Sequence, residues 1–114
     1  MRLKSELYKN EQIQIMNQII DILQLDNDNG FILYELDNDI DKQTRIMGLI
    51  PAIRKYFTFR NIIGAKNPEQ AKRPYLSIIK HIVKLEYKIL SCDYRLKINN
   101  EEIRTKKYIL IKTI

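Results

Sequence analysis

The sequence contains very little cysteine and histidine, and this scarcity excludes whole classes of site. Its 114 residues include one cysteine, Cys92, and one histidine, His81. An intramolecular disulfide needs two cysteines, and a zinc site needs three or four nitrogen or sulfur ligands. We therefore expect neither a disulfide nor a bound metal, and a chain that is compatible with a reducing compartment.

Long apolar runs and nucleotide-binding motifs are also missing. The longest apolar stretch, Met47 to Ile53, is far too short to span a bilayer, and the first residues include no apolar segment of signal-peptide length. Neither G-x-x-x-x-G-K-[ST] nor G-x-G-x-x-G occurs, so the sequence predicts no nucleotide cofactor. We expect an intracellular protein, cytoplasmic or nuclear, that is not secreted, enters no membrane and binds no cofactor.

Groups able to perform catalysis are scarce as well. His81 is expected on an exposed helix face and Cys92 on the buried face of a strand, so a nucleophile pair is disfavoured and Cys92 is interpreted as a small core residue. The acidic turn residues lack the spacing of a calcium loop, and we expect them to cap helices and turns. We therefore expect no enzymatic activity. These acidic residues are Asp26, Asp28, Asp37, Asp39 and Asp41.

The composition is that of one packed domain, residues 1–114, in which charge is divided unevenly. The chain is 45% hydrophobic and 30% charged, with three glycines and three prolines. Residues 1–50 hold five Lys or Arg and nine Asp or Glu, net −4, whereas residues 51–114 hold fifteen and five, net +10. Clustered cations favour a polyanion, although they also serve acidic protein partners. We expect the acidic first half to be turned away from a cationic face.

Apolar periodicity predicts the elements of the first half. Residues 10–25 form a helix capped by Asn10, and residues 31–36 form a short strand. A helical stripe follows, which Pro51 either kinks near Gly48 or divides into two helices. The stripe consists of Ile46, Ile50, Ile53 and Phe57.

Residues 58–73 form a long loop, which is either an insertion between helices or a basic arm that becomes ordered on a phosphate backbone. Lys66 and Lys72 are its candidate phosphate ligands.

A third helix is predicted from Pro74 to about Glu86, and one of its faces is cationic. Proline is favoured at the first helical position, and the 100° step of a helix places five polar residues within an arc of about 80°. No acidic residue falls on this arc, which suits insertion into the major groove better than an ordinary solvent-exposed face. The arc consists of Arg73, Ser77, Lys80, His81 and Lys84.

The remaining residues predict a β-hairpin. Residues 88–98 alternate between apolar and polar, residues 99–102 supply a turn, and residues 103–113 return. A four-residue loop would pair Ile98 with Ile103, Leu96 with Thr105 and Cys92 with Ile109. The apolar set, Leu90, Cys92, Tyr94, Leu96 and Ile98, is expected to face the core. The cations near the tip are Arg95, Lys97, Arg104, Lys106 and Lys107.

The order helix, short strand, helix, helix, strand, turn, strand resembles the winged helix-turn-helix family from about Asn10 to Thr113. The resemblance implies an α+β fold with a three-helix core and a hairpin wing. It also implies binding of double-stranded DNA, as a transcriptional regulator or as the DNA-binding module of a replication or virion protein. The long loop and Pro51 depart from the compact family pattern. The implied contacts are Arg73, Ser77, Lys80 and Lys84 on the last helix, and Arg95, Lys97, Arg104 and Lys106 on the wing.

Two other readings remain open, because fold does not determine function. A winged helix can serve only for protein docking, and the same surface can form a homodimer that pairs two recognition helices on one two-fold site. A group of apolar residues after the second helix is a candidate for either surface, or else fills the core under the loop. The group consists of Tyr56, Phe57, Phe59, Ile62 and Ile63.

Overall fold

The computed structural model describes residues 7–58 and 72–114, which form an α+β structure with a three-stranded antiparallel sheet. The predictions for Lys66, Phe59, Ile62 and Ile63 lie outside these residues. No helix within the described ranges combines the length and the apolar character that crossing a membrane requires. In chain order the elements are α1 Lys9–Leu23, β1 Gly30–Ile32, α2 Leu33–Asp37, α3 Ile40–Met47, α4 Ile50–Tyr56, α5 Pro74–Ile82, a 3₁₀ turn Val83–Leu85, β2 Tyr87–Ile98 and β3 Glu101–Lys112.

Helix α1 supplies the centre of the apolar core. It begins at Lys9, after Tyr8, and no side chain caps it, so the prediction that Asn10 caps this helix is wrong. Its apolar side chains recur at three- and four-residue spacing and place one stripe in the core. The buried stripe consists of Ile15, Met16, Ile19, Ile22 and Leu23.

Strand β1 is shorter than the predicted 31–36, since only Gly30–Ile32 pairs with β3. The chain leaves the ladder after Ile32, because α2 begins at Leu33. The backbone N–H of Tyr34 donates to the Thr105 hydroxyl at 3.0 Å. The Asp26 carboxylate orders the preceding turn by accepting from the backbone N–H groups of Asp28 and Gly30, each at 2.9 Å.

Pro51 divides the second helical segment into α3 and α4, as one of the two predicted alternatives has it. Helix α3 ends at Met47, and Pro51 lies in the first turn of α4, where its missing N–H is not needed. Asp39 caps α3 by accepting from the Lys42 backbone N–H at 3.0 Å. The predicted stripe is buried: Ile46, Ile50, Ile53 and Phe57.

Two members of the apolar group after the second helix, Tyr56 and Phe57, lie within the described residues. Phe57 is 6% exposed and belongs to the core. Tyr56 is half-buried and packs edge-on against Tyr8, with ring centroids 5.1 Å apart. These two aromatic side chains therefore belong to the packing of the core.

Helix α5 begins at Pro74, as predicted, but its α-helical part ends at Ile82 and a 3₁₀ turn follows. One side of it is fully buried against the other helices. Its buried side chains, with that of the following turn, are Leu76, Ile78, Ile79, Ile82 and Val83.

Strands β2 and β3 pair antiparallel over their whole length, as predicted, but with a different register. The loop has two residues, Asn99 and Asn100, with φ angles of 52° and 67°. Asparagine tolerates this left-handed conformation, which two-residue hairpin turns require. The ladder therefore pairs Ile98 with Glu101, Leu96 with Ile103 and Cys92 with Lys107, so the predicted four-residue loop and its pairs are wrong.

The two faces of the hairpin differ in their contact with the helices. We call the face toward the helices the inner face, because Tyr108 and Leu110 on it are 4% and 1% exposed. Its buried residues lie at the root, residues 87–91 and 108–112. The inner-face residues of 92–107, which we call the free part, are all exposed. On the inner face lie Tyr87, Ile89, Ser91, Asp93, Arg95 and Lys97, with Glu102, Arg104, Lys106, Tyr108, Leu110 and Lys112 opposite them; the outer face carries the alternate residues.

The predicted burial of the apolar set of β2 is wrong. Leu90 and Ile98 are 42% and 37% exposed, and Cys92 is exposed instead of lying in the core. All members of this set lie on the outer face, whereas the helices pack against the inner face. Alternation thus correctly predicted which residues share a face but not which face meets the core.

Candidate nucleic-acid interface

A shallow groove joins the start of α5 to the inner face of the free part of the hairpin. Arg73, Arg104 and Lys106 line it together with Asp37 and Asp93, so one predicted helix cation and two predicted wing cations meet in one place. The remaining lining residues are Leu33, Tyr34 and Thr105.

Arg73 is held at the mouth of this groove by an acidic residue from the first half of the chain. Its Nε donates to both carboxylate oxygens of Asp37, at 3.1 and 3.0 Å. The hydroxyl of Tyr75 donates to the same carboxylate at 2.5 Å. Burial and the nearby carboxylate raise the pKa of Tyr75 to about 12, so the phenol stays protonated and keeps donating. Arg73 is therefore oriented before any ligand arrives.

The expectation that the acidic first half turns away from the cations is wrong at several sites. Besides the Asp37 pair, the Lys107 ammonium lies 2.9 Å from Asp26 and 3.4 Å from Asp28. The hydrogen bond with Asp26 raises the pKa of Lys107 and lowers the pKa of Asp26. The turn acids thus balance part of the cationic charge that the sequence assigned to an open face.

Lys107 does not join the other wing cations. It lies on the outer face, opposite Cys92, and its side chain is only 13% exposed. Its ammonium lies 5.8 Å from the Tyr94 ring on the same face. The structure therefore separates Lys107 from Lys106, its neighbour in sequence.

On the helix, the predicted cationic arc borders the sheet and is less open than expected. Ser77, Lys80 and His81 are half-buried, and Lys84 is exposed. The Lys80 ammonium lies 4.9 Å from the centroid of the Tyr108 ring on the inner face. Burial, together with the charge of Lys84, lowers the pKa of His81, which is therefore neutral at pH 7 and adds no positive charge.

The free part of the hairpin carries a pair of like charges in register. Arg95 and Arg104 are direct partners in the ladder, and both lie on the inner face. Like charges placed directly opposite each other destabilise a sheet. Arg95 forms an ion pair with Glu102 at 3.3 Å, and Lys106 forms one with Asp93 at 3.3 Å.

Several cations have no acidic partner within residues 7–58 and 72–114. Arg104 and Lys97 are exposed on the inner face, and Lys84 and Lys72 are exposed at the two ends of the α5 region. Their positive charge is available to an anion without breaking an ion pair. Together with Arg95 and Lys106, they are the candidate phosphate contacts.

Sequence reasoning missed three residues that shape this site. Asp37 and Asp93 hold Arg73 and Lys106, and nothing in their spacing distinguishes them from other acidic turn or strand residues. Tyr108, which lies beneath Lys80, could have been found, because alternation along residues 103–113 places it on the same face as Arg104 and Lys106.

Comparisons with known proteins identify no family for this chain, so its function has to be argued from the arrangement of its side chains. No protein-family model, no curated protein and no solved structure matches this chain. Among the described residues, no three His, Cys, Asp or Glu side chains are grouped as a metal site requires. The distribution of cations is the feature from which a function can be argued.

Proposed function

We propose that the chain is a winged-helix-like domain that binds double-stranded DNA through α5 and the inner face of the hairpin. The element order and the three-stranded antiparallel sheet are compatible with that layout. In it, α1, the α3 and α4 pair, and α5 are the three helices, and β2 and β3 form the wing. A regulator of transcription or a DNA-binding module of a replication or virion protein fits this assignment.

The observation that carries the proposal is the Arg95 and Arg104 pair on the inner face. A phosphate between the two guanidinium groups would turn a repulsive cross-strand pair into a doubly charged clamp, since arginine binds phosphate through paired N–H donors. Arg95 would leave only an exposed ion pair with Glu102 to do so. Exposed pairs contribute about 0–1 kcal/mol, so this exchange costs little.

The helix contributes charge beside this clamp. Lys84 is exposed and unpaired within the described residues, and Lys80 is anchored over Tyr108. The Nε of Arg73 is held by Asp37 while its terminal NH groups remain open to a phosphate, so Asp37 balances part of its charge and its contribution is smaller than that charge implies. We therefore assign the backbone contacts mainly to the hairpin, and the contacts in the major groove to Lys80 and Lys84.

Fluorescence anisotropy across a salt series tests the proposal, with duplex DNA, duplex RNA and single-stranded DNA as probes. Duplex DNA should bind most tightly, and the logarithm of the affinity should fall linearly with the logarithm of the salt concentration. Tighter binding of either other probe, or no binding of any, would contradict the proposal.

Charge-removal variants locate the interface. Arg104→Ala and Lys97→Ala should each flatten the salt dependence by about one unit, because each removes one phosphate contact. Lys9→Ala is the matched control, since it removes one exposed cation from α1, outside the groove. Equal effects of Arg104→Ala and Lys9→Ala would show that net charge, and not this face, determines binding.

A further inference from the structure

The outer face of the hairpin is a mainly apolar surface. Among the described residues, Asp26 and Asp28 reach it at Lys107, and Tyr34 reaches it at Thr105. Leu90, Ile98 and Ile111 on it are 42%, 37% and 44% exposed, which is high for large aliphatic side chains. Other apolar residues continue the surface between them, so the exposed groups form one strip along the hairpin. The strip consists of Leu90, Cys92, Tyr94, Leu96 and Ile98 on β2, and Ile103, Ile109 and Ile111 on β3.

We propose that a second copy of this chain packs on the outer face, with the two hairpins antiparallel and face to face. The strip is self-complementary about a two-fold axis that passes between the Cys92 and Tyr94 rows of the ladder. With the axis at that position, Leu90 lies opposite Leu96 of the second copy. In the same way, Ile109 lies opposite Ile103 of the second copy, so aliphatic residues meet aliphatic residues on both sides of the axis.

Charge selects this orientation over the parallel one. Lys88 lies at the root end of the outer face and Glu101 at the tip end, and both are exposed. Antiparallel packing brings Lys88 of each copy beside Glu101 of the other, whereas parallel packing brings Glu101 beside Glu101. Lys107, in the middle of the face, is already neutralised by Asp26 and Asp28. No unpaired charge is then buried in the centre of the interface.

The area of the strip predicts a weak association. Eleven residues of strand extend about 35 Å, and two strands are about 10 Å wide, so the planar footprint is about 350 Å² on each copy. Stable complexes bury about 1,200–2,000 Å² in total. We therefore expect a dimer that forms at high protein concentration and is favoured when nucleic acid brings two copies together.

This arrangement places the cationic inner faces on opposite sides of the dimer, because alternate residues of a strand point to opposite faces. Each dimer therefore holds two duplexes, one on each side, and bridges them. This consequence rests on the proposed function, whereas the dimer itself does not. It differs from a dimer that pairs two recognition helices on one two-fold site.

Sedimentation equilibrium without nucleic acid tests the dimer. The unaltered chain should dimerise as its concentration rises, and Leu96→Lys should weaken dimerisation by about tenfold or more, because each dimer would bury two new charges. Ser91→Lys, which places the same side chain on the inner face, should leave dimerisation unchanged. A chain that stays monomeric, or a Leu96→Lys variant that still dimerises, overturns the proposal.

A charge exchange tests the orientation. Lys88→Glu and Glu101→Lys should each weaken dimerisation by about tenfold, since the two-fold axis makes each new repulsion occur at two places in the dimer. The double variant should restore it. Both positions are exposed, and circular dichroism of each variant shows that the fold is kept. A double variant as weak as the single ones overturns the antiparallel arrangement.

Energy transfer between two differently labelled duplexes tests bridging. The unaltered chain should bring the duplexes together, and Leu96→Lys should abolish the transfer while anisotropy still reports binding to one duplex. A dimer that binds no duplex would refute the proposed function and leave the dimer standing. Duplex binding by a chain that is monomeric at every concentration would refute the dimer and leave the proposed function standing.

Discussion

Side chains alternate between two faces in both the root and the free part of the hairpin, but the inner face is apolar only at the root. At the root, the inner face is apolar and packs on the helices, as Tyr108 and Leu110 show. In the free part, the inner face is charged and the outer face is apolar. Alternation therefore defines two faces, whereas contact with the helices decides which one is the core.

Stability and binding also depend on different parts of the hairpin. At the root, Tyr87, Ile89, Tyr108 and Leu110 pack in the apolar core, so substitutions at these positions affect the free energy of unfolding. On the inner face of the free part the charged side chains make only exposed ion pairs, so substitutions there should affect recognition instead.

Leu110→Ala should have the largest effect on stability. The side chain is 1% exposed, and truncating a buried leucine costs about 2–5 kcal/mol. Ile103→Ala, on the half-buried outer face of the free part, should cost about 1 kcal/mol or less. Urea denaturation measures both, and equal losses would remove the distinction between root and free part.

Gly30→Ala should have the next largest effect on stability. A Cβ at Gly30 would lie 2.8 Å from Lys107 Cε and 2.9 Å from the Tyr108 carbonyl oxygen, so the strand pair would have to shift. Such overpacking costs about 1–3 kcal/mol. Gly48→Ala is the control, since the atom nearest to its Cβ would be 3.3 Å away. A smaller loss at Gly30 than at Gly48 would show that β1 is not held tightly against the root.

Folding stability should depend on pH through His81, which lies on α5. Its pKa is lowered from the ordinary value of 6.5, so the unfolded chain holds more protons than the folded chain between the two values. The contribution of His81 to folding stability is therefore fully present above pH 6.5, and it is lost as the pH drops below that value. Urea midpoints from about pH 7.5 to about pH 5 should show this slope, and His81→Gln should abolish it. A slope that survives His81→Gln would refute this assignment.

Asn100→Gly, at the tip of the free part, should have the smallest effect. The residue adopts φ 67°, which glycine adopts without steric cost. The substitution should stabilise the chain by about 0.5 kcal/mol or less, because the tip contributes little to global stability. Asn100→Val should loosen the turn, as amide exchange of the tip residues would show. Faster exchange in the glycine variant would argue against the two-residue turn.

The periodic elements could be predicted from the sequence because each encodes its own signal. The stripe from Ile46 to Phe57, the start of α5 at Pro74 and the pairing of β2 with β3 were all correct. The capping role of Asp39 was also foreseen, since it follows from local chemistry.

The errors arose where distant parts of the chain meet. Whether Leu90 faces the core depends on where the helices stop, which no local pattern records. The pairing of Asp37 with Arg73 and of Asp26 with Lys107 joins residues far apart in sequence, so net charge by halves misjudged the open cationic surface. The turn at Asn99 and Asn100 was missed because four polar residues in a row do not show which two adopt the left-handed conformation.

The strand order β1-β3-β2 has a consequence for synthesis on the ribosome. Gly30 pairs with Ile109, 79 residues further along, whereas β2 and β3 are joined by two residues. At about 5–20 residues per second, the first strand waits about 4–16 s for its partner to be made. During that interval Phe31 lacks the Tyr108 ring, on which it stacks at 5.3 Å in the finished fold. The nascent chain is therefore most vulnerable to association with other chains just before β3 emerges.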